Sequence, residues 1–139
     1  MTNIPSDLIE AYRATHFTVL EPRPLTLRVD HYSSELAELF KEMGVSCAGY
    51  LTAWNPYSAE TSVADNEAAQ LSLIRNLSLE GYPTLKALGV DPAGEWPGEE
   101  SVFVPGLDLE RAKSLGVEFG QNAIVWAGSD AVPQLVLLR

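Results

Sequence analysis

Apolar and polar positions alternate in two short runs near the start of the chain, then recur at helical spacing. His16 to Leu20 reads as a strand, stopped by Glu21-Pro22-Arg23-Pro24, because two prolines so close together cannot continue a ladder. Leu25-Thr26-Leu27-Arg28-Val29 alternates as a half-buried strand does, and the two runs pair as an antiparallel hairpin. Ahead of them, Leu8 and Tyr12 share one face of a short helix from Ser6 to Arg13. Ser6 serves as its cap, and Asp7 sits at its positive end. Leu36, Leu39, Phe40 and Met43 fall at i, i+3, i+4 and i+7, one apolar stripe capped by Ser33 or Ser34 and closed by Gly44. Glu38 and Glu42 lie off that stripe, on a solvated face.

Ser46 to Trp54 is an apolar run whose content suits a central strand buried on both faces. Asn55-Pro56-Tyr57-Ser58 breaks it, and a second helix follows from Ser62 to Leu79, with Ser62 or Asp65 as cap. Leu71, Ile74 and Leu77 supply the apolar face of that helix. Tyr82 to Val90 is ambiguous, since Pro83 suits a strand start or an edge. Asp91 to Glu100 is turn-rich, and Ser101 to Val104 is strand-like. Asp108 caps a further helix with Leu109, Ala112 and Leu115 inward. Ala123 to Trp126 and Gln134 to Leu138 close the chain as a hairpin around Gly128-Ser129-Asp130. Mixed hairpins and crossovers of this kind make an α+β domain: a mixed or mainly antiparallel sheet with three to four helices packed on it.

Composition narrows the functional classes. At 139 residues the chain is one domain, 1–139, and its 46% hydrophobic and 20% charged content is that of a globular protein. A formal net charge of −10 makes nucleic acid an unfavourable partner. The lone Cys47 allows no internal disulfide, which together with the absence of a leader-like start points to the cytoplasm. No apolar run approaches the ~18 residues that a membrane span needs. Walker, GxGxxG, GxSxG and HExxH motifs are missing, so no cofactor is implied. Two histidines and one cysteine give no zinc set. His31 reads as a turn residue, His16 as a structural hydrogen-bonding residue at a strand start, and Cys47 as a small buried hydrophobe.

Three stretches place amide, hydroxyl and carboxylate groups beside tryptophans at element ends. They are Thr52 to Ser58, with Asn66 in the following helix; Trp96 to Ser101; and Phe119 to Trp126. The patterns TAWNPxS, WPxExS and FGQNAIVW, with Asn66 and Arg75 on the intervening helix and the Tyr12-Arg13-Ala14-Thr15 opening, resemble the family of domains of unknown function numbered 3293. The resemblance implies a small bacterial or phage-type domain and brings no activity with it.

The residues themselves carry two readings. Asn55 can form an Asx turn before Pro56 or hold a ligand's polar edge. Asn66 can support a helix start, and Gln121 and Asn122 can simply join helix to strand. Trp54, Trp96 and Trp126 can pack or stack on a ligand, and Arg75 can be solvated or ion-paired. Glu99, between Pro97-Gly98 and a strand start, is the candidate acid or base if burial against Trp96 raises its pKa. Ser58 and Ser101 have no evident base. The leading expectation is a cleft for a polar or nucleotide-like small ligand, formed by Trp54, Asn55, Ser58, Asn66, Arg75, Ser101, Gln121 and Asn122, with any chemistry at Glu99. The alternative is an acidic regulatory or inhibitory module that binds a protein partner through Glu35, Glu38, Glu42, Glu110 and Glu118, with the three motifs as scaffolding.

Overall fold

Local sequence sets most of the elements in the computed structural model, which describes residues 2–139. Four helices form: α1 (Ser6–Ala14), α2 (Ser34–Met43), α3 (Val63–Leu79) and α4 (Leu109–Glu118). The side chains of Ser33, Ser62 and Asp108 each accept a backbone N–H at the start of α2, α3 and α4, satisfying donors that a helix start leaves unpaired. The α1 start differs from expectation. Pro5 takes the cap position without a side-chain bond and Ser6 is already helical. Proline's fixed φ and missing N–H suit a helix entry, so no polar cap is required there.

The strands are β1 (His16–Val19), β2 (Leu25–Leu27), β3 (Ala48–Leu51), β4 (Leu85–Val90), β5 (Glu99–Pro105), β6 (Ala123–Ala127) and β7 (Gln134–Leu137). They form one sheet in the order β2-β1-β4-β5-β3-β6-β7, and every adjacent pair is antiparallel. The expected hairpins β1–β2 and β6–β7 occupy its two ends. β4, whose Pro83 suggested an edge, is an interior strand, because the proline precedes the ladder by two residues and removes no bond from it. β5 begins at Glu99, inside the stretch expected to be loop, where Glu99 pairs with Gly89 and Glu100 with Leu88.

Two cores lie on opposite faces of the sheet. Leu36, Leu39 and Phe40 of α2 pack with Val19, Leu27, Tyr50 and Phe103 on one face. Leu73 and Leu77 of α3, with Ala112 and Leu115 of α4, pack on Leu51, Val102, Val104 and Ile124 on the other. Two stripe assignments change. Met43, in the last turn of α2, is exposed, and on α3 it is Leu73 that is buried while Leu71 faces solvent. The buried line of α3 runs Asn66, Gln70, Leu73, Leu77, so its first half is polar and helical periodicity in apolar residues alone misplaces the face.

Candidate functional site

Strand alternation puts Glu99, Ser101 and Phe103 of β5 on the same face as Tyr50 of β3 and Ala123 and Val125 of β6. α2 covers part of that face. Leu8, Ala11 and Tyr12 of α1 border the rest across a cleft of about 280 Å³. Trp54, Asn55, Ser58, Glu99, Ser101, Gln121 and Asn122 all line it, together with Trp96. Asn66 does not line the cleft but stands behind Asn55. Arg75 is exposed on α3 and lies outside the lining, as does Trp126, whose indole N–H donates to the Leu107 carbonyl at 2.9 Å.

The turn carrying Asn55 is unusual in its backbone. Asn55, Tyr57 and Ser58 all have positive φ, at 45°, 58° and 60°, a region that side chains with a Cβ adopt at some cost. Buried Asn66 holds that conformation. Its Oδ1 accepts from the Asn55 N–H at 2.8 Å, and its Nδ2 donates to Asn55 Oδ1 at 2.9 Å and to the Thr61 carbonyl at 3.3 Å. Asn55 Oδ1 also accepts from the Thr61 N–H at 3.0 Å, so the side chain closes a wide loop rather than an Asx turn before Pro56. Gln70 Oε1 accepts from Ala53 N–H at 2.9 Å and fixes the chain just ahead of the turn.

A second brace comes from the helix-to-strand connection after α4. Gly120 accepts from the Tyr57 N–H at 2.7 Å, and its own φ of 69° suits glycine. A Cβ at Gly120 would stand 3.0 Å from the Pro56 Cβ. Gly120→Ala is therefore expected to cost about 1–3 kcal/mol, from backbone strain plus the clash. Chemical denaturation would measure it, and an unchanged midpoint would contradict this packing. Gln121 donates to the Trp54 carbonyl at 3.4 Å. Asn122 Nδ2 donates to the Tyr12 hydroxyl at 3.0 Å and to Ser58 Oγ at 3.4 Å, and the Tyr12 and Ser58 oxygens are 2.5 Å apart. These bonds tie α1, the turn and the start of β6 into one wall.

Glu99 is half-buried in this frame. Burial raises its carboxyl above the ordinary carboxylate range, and hydrogen bonding from the Asn55 side chain opposes the shift. With Asn55 Oδ1 already occupied by Thr61 and Asn66, the Asn55 amide N–H₂ is the end left for Glu99. Burial also pushes the Tyr50 phenol well above its usual range, and its hydroxyl donates to the Thr18 carbonyl at 3.1 Å. Ser101 Oγ donates to the Glu99 carbonyl at 3.1 Å and no histidine lines the cleft, so neither serine has a base to activate it. The cleft can accept ligand donors at Glu99, exchange a proton there, and stack a flat group on its aromatic walls.

Tyr12 and Tyr50 line the cleft though they are not among the expected site residues, and Thr52 of the first motif stretch joins them. Tyr12 had a signal, since the shared face of Leu8 and Tyr12 is the one that lines the cleft. Tyr50 had none, because a strand buried on both faces does not reveal which face is open. Of the acidic residues considered for partner binding, Glu42 pairs with Arg23 at 2.8 Å, Glu110 lies 3.7 Å from Lys113, and Glu118 accepts from Asn76 at 3.3 Å. Cys47 is partly buried outside the cleft. Its thiol donates to the Leu107 carbonyl at 3.3 Å, and burial raises its pKa. Among the described residues no group of three or more His, Cys, Asp or Glu side chains could hold a metal ion. No helix among them is long and apolar enough to cross a membrane.

A family model described as "Protein of unknown function (DUF3293)" matches residues 51–124, just over half the chain and all three motif stretches up to Ile124. The comparisons with curated proteins and with solved structures return no match.

Proposed function

The chain belongs to the DUF3293 family, and from that premise we propose that it binds a small polar ligand in the cleft between α1 and the sheet. One observation carries the reading. Three segments far apart in sequence converge on a single cleft of about 280 Å³, with a half-buried carboxylate in its wall. That combination of apolar walls and a few fixed polar groups is what small-molecule sites share. The braces from Asn66, Gly120 and Asn122 support the same reading, since they hold the lining before any ligand arrives.

Gly89 provides the test. It lines the cleft from the interior of β4, and a Cβ there would meet its nearest atoms, the Glu99 carbonyl and Thr15 Cγ2, only at 3.9 Å. Gly89→Val should fold at least as well as the native chain, because a β-branched residue suits a strand and glycine costs about 0.5–1 kcal/mol there. It should also narrow the cleft. In a thermal-shift screen of polar metabolites, a compound at about 100 times its Kd should stabilise the native protein by about 2.7 kcal/mol and leave Gly89→Val unmoved. Equal stabilisation of both proteins by every active compound would place binding elsewhere and overturn the reading.

A further inference from the structure

Charge is distributed one-sidedly around the cleft. Among the described residues, Glu99 is the only charged side chain lining it, and no lysine, arginine or histidine joins it. Glu99 forms no ion pair among the described residues, unlike Glu42, Glu80 and Glu110. Its identified side-chain partner is the neutral amide of Asn55. The Arg139 guanidinium reaches the wall from outside the lining: it lies 4.6 Å over the Tyr57 ring and donates to Asn122 Oδ1 at 3.0 Å.

Two further features favour a cation. The aromatic residues Trp54, Trp96, Tyr50 and Phe17 line the cleft, and aromatic rings attract cations over their faces. The net charge of −10 draws cations toward the molecule and repels anions. A phosphate or carboxylate in the cleft would meet Glu99 with no cationic side chain in the described lining to offset it.

Resting on the reading of the cleft as a ligand site, we propose that its ligand presents a planar cationic donor group, an amidinium, guanidinium or protonated amino-heterocycle, to Glu99. Two parallel N–H donors match a carboxylate's two oxygens, and the flat group stacks on the tryptophans. Binding then requires ionised Glu99, so affinity falls as pH drops through the raised range of that carboxyl.

Benzamidine, benzamide and benzoate share one size and shape and differ in charge. Titrated into the full chain, each is followed by the three indole N–H signals in NMR. Trp54 and Trp96 report the cleft, and Trp126, bonded to Leu107, serves as the internal control. The expected result is that benzamidine moves Trp54 and Trp96 but not Trp126 and binds at least about tenfold tighter than benzamide. Benzoate should bind weakest. Glu99→Gln should remove the advantage of benzamidine over benzamide. Benzamide or benzoate binding at Trp54 and Trp96 as tightly as benzamidine would overturn the charge preference and leave the ligand site standing. Failure of all three to move those signals, or a benzamidine advantage that survives Glu99→Gln, would overturn the proposal too; the metabolite screen judges the site itself.

Discussion

Asn66→Ala should lower stability by about 2–3 kcal/mol, seen as a drop of about 6–12 °C in melting temperature. Asn66 is buried, and its amide makes three hydrogen bonds to a turn whose backbone is already in a disfavoured region. Alanine leaves the Asn55 N–H without its acceptor and the Thr61 carbonyl without a donor, and each such loss costs more than an exchange with water would. Asn66→Asp separates the two ends of the amide. It keeps an acceptor for the Asn55 N–H but sets a carboxylate oxygen against Asn55 Oδ1, so it should be no better than alanine. If both variants melt with the native protein, the turn does not depend on Asn66.

Glu99→Gln should have opposite effects on stability and on binding. The native carboxyl is raised by burial, so the folded state takes up its proton more readily than the unfolded chain. The penalty of holding the charge is fully present above the folded pKa. It is relieved as pH falls from there toward the unfolded value. At pH 7 the glutamine variant should therefore melt above the native protein, and its lead should shrink as pH falls through that window. Binding of any ligand that pairs with the carboxylate should fall by about tenfold or more. Melting curves at several pH values separate this from a structural role: a variant that melts lower at pH 7 would mean Glu99 accepts bonds the fold needs.

The sequence made the fold class legible because α2, α4 and the two terminal hairpins each carry their own signal in cap, periodicity or turn. Strand order was not legible. β4 pairs with β1 and β5, and β3 with β5 and β6, and such distant pairings leave no mark in local pattern. The error on α3 has a specific cause. Asn66 and Gln70 occupy the buried line that apolar residues normally hold, because their amides face the backbone of residues 53–61.

The lining followed a similar division. The motifs at element ends drew attention to Asn55, Glu99 and Asn122 through composition, and the chain brings them to one cleft. Arg75 is a site candidate through the family resemblance, and it leaves α3 on a different side from Asn66. Asn55 shows why spacing alone left two readings open. Its side chain braces the loop through one end and faces Glu99 through the other, so the structural and binding descriptions apply to different atoms of the same amide.

A crystal structure of the protein with the strongest stabilising compound from the metabolite screen tests the central claim most directly. The expected result is that compound bound between α1 and the sheet, within hydrogen-bonding distance of the Glu99 carboxylate and against the Trp54 or Trp96 ring. The same compound bound elsewhere, with the cleft filled by its own side chains, would contradict it.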